Sequence, residues 1–325
     1  MIPYYGLQAP PRGGHYESWF VRANHPHKPL AIWIRYTLFR ARDQRPALGE
    51  VWAVWSDGAR QQTRAFKEEF PLEQCRFSTS LMQVDAGDNH LQPGALQGLL
   101  QEGNDQLSWD LHYDDGEPPL LFLPESFYKR PLPKAKSLVS RPHIRLSGTL
   151  TLNGETFVLD RWPGSENHNW GSQHTDRYAW GQVVGFDNAP DAFLECATAQ
   201  VKLGPLYSPQ LSIAALRLDG ETLLFNSLSR ALRANADYRP FQWTLQTGNG
   251  DTRLNISMAT MADRVAALTY YNPPRGNKIC LNSKLAGVTA TLSRRGQPER
   301  MLHSAHGGAF EILTDRLPAG MALQV

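Results

Sequence analysis

Polar and apolar residues alternate with period two along most of this chain, and no long stretch has helical spacing. Such alternation puts every second side chain on one face, a pattern that buries cleanly only as a β-strand. Runs of this kind, rich in Trp, Tyr, Val, Thr and Ile, occupy residues 16–24, 29–40, 50–57, 63–70 and 106–113. They continue at 143–152, 155–162, 177–186, 192–201, 211–218 and 221–227, then at 241–247, 252–258, 265–271, 288–293 and 309–314. The connectors are short. Asn153-Gly154 and Asp219-Gly220 accept the positive φ of type I′ hairpin turns, and Gly103-Asn104-Asp105 and Gly248-Asn249-Gly250-Asp251 are longer versions. Many strands joined by tight turns pair antiparallel and form barrels or sandwiches, so the expected class is all-β. Residues 85–101 resist assignment, and 96–100 fits a short helix.

The chain of 325 residues exceeds one average domain, and a prior of about 150 residues per domain gives two. A seam is expected within 123–142, where Pro124, Pro131, Pro133 and Pro142 stand among Lys129, Arg130, Lys134 and Lys136. Proline donates nothing to a ladder, so this segment reads as a linker or crossing loop. The expected units are 1–140 and 141–325. Two openings echo each other: Glu17 stands two residues before Trp19, and His168 two before Trp170. The echo suggests one barrel duplicated.

Cys75, Cys196 and Cys280 are too scattered for a disulfide framework or a zinc site and read as reduced packing residues. His168 with His174, and His303 with His306, lack a third ligand at a metal spacing, so no metal or other cofactor is expected. A net charge of +2, with no basic run, argues against a nucleic-acid partner. No apolar stretch approaches the roughly 20 residues that cross a bilayer. Met1-Ile2-Pro3-Tyr4-Tyr5 lacks the basic-then-apolar pattern of a signal peptide. The expected location is therefore cytoplasmic, with peripheral membrane contact left open. G-x-S-x-G, H-E-x-x-H, G-x-x-x-x-G-K-[ST] and G-x-G-x-x-G are all missing, which weighs against hydrolase, zinc-protease and nucleotide-dependent readings.

Tyr16-Glu17-Ser18-Trp19-Phe20, Asn167-His168-Asn169-Trp170-Gly171, Tyr178-Ala179-Trp180, Cys280-Leu281-Asn282-Ser283-Lys284 and Gly307-Gly308-Ala309-Phe310-Glu311 together resemble one group. It is the lipocalin-like superfamily of carotenoid 1,2-hydratases (hydroxyneurosporene synthases), AttH-type proteins, tocopherol cyclases and fungal Diels–Alderases. The resemblance implies two tandem antiparallel lipocalin-like barrels with a ligand cavity in or between them. It also implies a lipophilic isoprenoid or polyene substrate and hydratase, cyclase or isomerase chemistry. In carotenoid hydratases a His-x-Trp pair and a downstream Tyr-x-Asp pair line the site, the Asp donating a proton. His168 and Trp170 match the first pair. Phe193 and Glu195 stand in place of the second and depart from it at both positions, although a carboxylic acid is kept.

The residues themselves support an acid site. Glu195 alternates with Phe193, Ala197, Ala199 and Val201, and a carboxyl among such neighbours is desolvated and favours its protonated form. Tyr178, Trp180 and Gln182 share one face of their strand, an aromatic stripe with one polar group, as pocket walls often show. The expected catalytic residues are Glu195 and His168. Trp170, Trp180, Tyr178, Gln182, Phe193, Trp19 and Glu17 are the expected substrate contacts, with the Trp rings able to face a carbocation. Glu17 and Arg35 are expected to pair inside the first barrel. The same residues also fit a lipid or pigment carrier without chemistry, or barrels filled by their own side chains.

Overall fold

The structure is a computed structural model describing residues 5–10, 12–43, 45–114 and 116–325. Strand formation dominates, and the fold is all-β, built from two large antiparallel sheets. The first contains β1 (His15–Asn24), β2 (Leu30–Arg40), β3 (Leu48–Asp57), β4 (Gln62–Pro71), β5 (Cys75–Phe77), β6 (Val84–Ala86), β7 (Asn89–Gln92), β8 (Ala95–Glu102), β9 (Asp105–Tyr113), β10 (Ala135–Leu152) and β11 (Glu155–Gly171). Its order is β4-β3-β2-β1-β11-β10-β9-β8-β7-β6-β5, and β4 returns against β8 to make a barrel. β12 (Arg177–Phe186) and β13 (Ala189–Gln200) open the second half, followed by a ribbon of β14 (Lys202–Leu203) and β15 (Leu206–Tyr207). Then come β16 (Leu211–Leu218), β17 (Glu221–Phe225), β18 (Asn235–Arg239), β19 (Gln242–Asn249), β20 (Thr252–Ala259), β21 (Val265–Tyr271), β22 (Asn277–Arg294) and β23 (Arg300–Thr314). The second sheet runs β17-β16-β13-β12-β23-β22-β20-β19-β18, with β21 on β22. In each sheet the first strand pairs with the last long one, β1 with β11 and β12 with β23, so the topology is repeated.

Three expectations change. The first sheet continues to Gly171 and the second begins at Arg177, so the change of sheet falls there and not at 140/141. Proline misled because Pro142 sits inside β10 at a register shift between Arg141 and Ile144, beside His143 at φ 57°. A bulge leaves a residue unpaired, so the missing N–H removes no ladder bond. Residues 96–100 form strand β8: Leu96 and Leu100 face inward, and Gly98 between them makes room for the Trp109 ring. The two echoed openings are neighbours, not repeats. β1 and β11 pair with Trp19 opposite His168 and Glu17 opposite Trp170.

Each barrel has its own apolar interior. Trp19, Val21, Ile34, Tyr36 and Trp55 fill the first; Val183, Leu194, Trp243, Leu254 and Phe310 fill the second. A third buried layer lies between the barrels, where Phe20, Trp33 and Trp52 meet Leu268, Tyr270 and Leu313. Every residue of β1 is therefore buried, on both of its faces. Two-sided burial of this kind is what positions the site.

Candidate active site between the two barrels

Alternation sorts the side chains of β1. Glu17, Trp19, Val21 and Ala23 share the parity that enters the first barrel, whereas Phe20, Arg22 and Asn24 reach toward the second. From the other side, β12 sends Tyr178, Trp180, Gln182 and Val184 into the same layer, opposite Ala199, Ala197, Glu195 and Phe193 of β13. Glu195 is 1% exposed. Its Oε1 accepts a hydrogen bond from Trp180 Nε1 at 2.9 Å, and its Oε2 has no partner among the described residues. Its neighbours along the face, Phe193 and Ala197, and Ala215 across the ladder pack with Leu120, Phe122, Val139 and Val184. Burial pushes the carboxyl up to about 7, against the opposing pull of the Trp180 hydrogen bond. Near neutral pH it is thus a carboxylic acid for much of the time. One surface cleft of about 580 Å³, lined by Glu117, His143, Arg145 and Asp191, abuts this layer; His143 stands edge-on to Phe193 at 5.9 Å.

A polar network built on Gln182 lies beside Glu195 in the layer. Gln182, which faces Glu195 in the ladder, accepts from Ser165 Oγ at 2.6 Å and from Arg22 Nη1 at 3.2 Å, and donates to Asn167 Oδ1 at 2.8 Å. Arg22 also donates to Asn24 and, at 2.9 Å, to the Gly307 carbonyl. Burial brings the Arg22 guanidinium down to about 9, with Glu311 opposing. Lys284, fully buried, pairs with Glu311 at 2.7 Å; its Nζ lies 5.1 Å from the Trp33 ring centre and 5.7 Å from that of Trp180. Burial lowers the ammonium's pKa and Glu311 counteracts it.

The second candidate cluster is separate. Inside the first barrel, Glu17 accepts from His168 Nε2 at 2.9 Å, His15 Nε2 lies 2.8 Å from its other oxygen, and the Gln8 backbone N–H donates at 2.7 Å. Burial pushes the Glu17 carboxyl up, but the bonds to His15 and His168 outweigh it and hold the group below its usual range. His168 stacks on Trp19 at 5.1 Å and meets Trp170 at 4.7 Å.

Of the expected site residues, Glu195, Trp180, Tyr178, Gln182 and Phe193 come together. His168, Trp170, Trp19 and Glu17 do not join them. Glu166, His168 and Trp170 have the parity that faces into the first barrel, where Tyr113 bonds Glu166, while Ser165 and Asn167 face Gln182. His168 therefore points away from Glu195, on the far side of β11. Trp170 packs with Tyr128 and Leu138, apart from Trp180. The expected Glu17–Arg35 pair does not form either, because Arg35 lies opposite Phe20 and points between the barrels. Sequence reasoning missed Arg22, Lys284 and Glu311. The signal present was Cys280, Asn282 and Lys284 at period two, a polar face in a strand whose other face holds Leu281 and Leu285.

His174 lines one end of this layer, stacked on Tyr16 at 3.8 Å. Burial, helped by Arg35, brings its imidazole down to about 3 from 6.5. Its folded pKa is depressed, so the unfolded chain binds the extra proton and stability falls as pH drops below 6.5. Between pH 6.5 and 5 the loss is expected to reach about 2 kcal/mol. Urea unfolding of wild type and His174→Phe across that window checks this: the variant's curve stays flatter, and parallel curves would remove His174 as the cause.

No family model matches the chain. It is 23% identical over 290 residues to an uncharacterized protein of Mycobacterium tuberculosis, present in strains CDC 1551 and H37Rv, covering 87% of this chain and 82% of that one. Among solved structures it is similar to a candidate AttH protein from Nitrosomonas europaea, with TM-score 0.60, 18% identity, and coverage of 96% and 98% of the two chains. It is also similar to kievitone hydratase from Nectria haematococca, with TM-score 0.56, 13% identity, and coverage of 93% and 89%. CghA gives TM-score 0.58, 13% identity, and coverage of 98% and 96%. The shared feature is the fold. No helix among the described residues is long and apolar enough to cross a membrane.

Proposed function

We propose that this protein is an enzyme of the inter-barrel layer, using Glu195 as a proton donor to a lipophilic, alkene-bearing substrate of isoprenoid or polyene type, without a cofactor. The observation that carries this reading is the state of Glu195. It is buried among apolar side chains, its carboxyl is raised to about 7, and one oxygen is held by Trp180 while the other has no partner among the described residues. A neutral acid of that kind can protonate a carbon–carbon double bond, giving a carbocation beside the Trp180 face. Water or an internal hydroxyl then adds to the cation and returns its proton to the Glu195 carboxylate, completing hydration or cyclisation; loss of a different C–H proton to that carboxylate completes isomerisation. The fold shared with a hydratase supports this chemistry class by likeness.

His168 has no part in the proposed step, since it faces the other way. That observation favours the second reading, a binding protein without chemistry, because the expected acid–histidine pair is missing. One experiment separates the two. In D₂O, wild type incubated with a panel of isoprenoid alkenes should place deuterium on carbon in a recovered product or substrate. Glu195→Gln should lower that rate at least about 100-fold, the usual contribution of general acid catalysis. Full incorporation by Glu195→Gln defeats the acid role; tight binding with no incorporation by wild type establishes the carrier.

A further inference from the structure

Arg35 is 5% exposed; burial opposes its charge, but Tyr270, Glu50 and Glu311 outweigh that cost, although neither carboxylate lies at ion-pair distance from it. Its Nε has no hydrogen-bond partner among the described residues, and the guanidinium lies over the Tyr270 ring, 4.4 Å from the centroid. The carboxylates nearest in charge influence are committed elsewhere: Glu50 to Lys67 at 2.9 Å and Glu311 to Lys284 at 2.7 Å. Arg22 is bonded to neutral acceptors, Gln182, Asn24 and Gly307. Of Arg22, Arg35 and Lys284, Lys284 is the one that is ion-paired among the described residues, to Glu311. Buried donors are also left over, at Arg22 Nε, Trp33 Nε1 and Arg35 Nε. Unpaired cations and donors are costly in a dry interior, and an arginine fork suits the planar oxygens of a carboxylate.

We propose that Arg35, with the Trp33 indole N–H on the same strand face, binds a carboxylate or equivalent delocalised oxyanion borne by the lipophilic substrate. The inference rests on the inter-barrel reading above and names one end of the molecule that reading requires. A line of side chains connects Arg35 to the acid. Arg35 lies across the ladder from Phe20, Phe20 meets Trp180 edge-on at 6.2 Å, and Trp180 holds Glu195. The anionic end sits at Arg35 and the apolar body runs past Phe20 and Trp180 toward the acid.

Dodecanoate and 1-dodecanol, titrated into wild type and Arg35→Met by calorimetry, test it. Wild type should bind dodecanoate at least about tenfold more tightly than dodecanol, a difference of about 1.4 kcal/mol. Arg35→Met should bind both equally, with dodecanol affinity unchanged, and should unfold at a urea concentration no lower than wild type. Dodecanol binding with no preference for the acid overturns this proposal and leaves the lipophilic site standing. Binding of neither overturns both. A destabilised Arg35→Met that keeps the acid preference makes Arg35 a structural residue and ends the proposal.

Discussion

Lys284→Met will destabilise the protein by about 3–5 kcal/mol, the largest single-residue effect expected here. Lys284 is fully buried in the inter-barrel layer and its ammonium is 2.7 Å from Glu311. Removing the ammonium takes away the ion-pair partner of Glu311; Arg22 and Arg35 act on it only through space, and Asn282 supplies a neutral hydrogen bond at 3.1 Å. The loss should show as a lower urea midpoint with an unchanged slope. Lys284→Met combined with Glu311→Gln removes both charges, so it should recover much of the loss. A double variant no more stable than the single one would mean that the ammonium acts through packing against Trp33 and Trp180, not through its charge.

Glu195→Gln will gain stability relative to wild type as pH rises, by about 3 kcal/mol between pH 4.5 and 7. The Glu195 carboxyl is raised from its ordinary 4.5 to about 7 in the folded chain by burial. The folded protein therefore holds a proton that the unfolded chain releases in that window. Wild-type stability from this group is full below pH 4.5 and is lost as pH rises through 7. Glutamine never ionises and has nothing to lose. Unfolding both proteins in urea at pH 4.5, 6 and 8 measures the gap, and a gap that does not grow with pH would leave Glu195 an ordinary ionised carboxylate. A residue that destabilises the protein at working pH is what an acid kept for chemistry looks like.

Much of the architecture was legible because local chemistry decides it. Alternation marked most strands, and the hairpins followed turn chemistry: Asn153 and Gly154, and Asp219 and Gly220, all have positive φ. The grouping of Tyr178, Trp180 and Gln182 with Phe193 and Glu195 was also legible, since adjacent hairpin strands fix it by parity. The rest depended on long-range pairing. With both faces of β1 buried, and β11 buried over the stretch facing it, hydrophobicity cannot say which parity enters a barrel and which lies between barrels. That is why His168 was placed with Glu195 and why Glu17 was paired with Arg35. The join of β1 to β11, which sets both, is a contact between distant segments that no local pattern encodes.

Infrared difference spectroscopy of the protonated carboxyl stretch, wild type minus Glu195→Gln, reads the ionisation of this single group as pH is varied. A band that disappears with a midpoint near 7 is the predicted result. A band already lost by pH 5 would show Glu195 ionised in the folded protein and would contradict the proton-donor account.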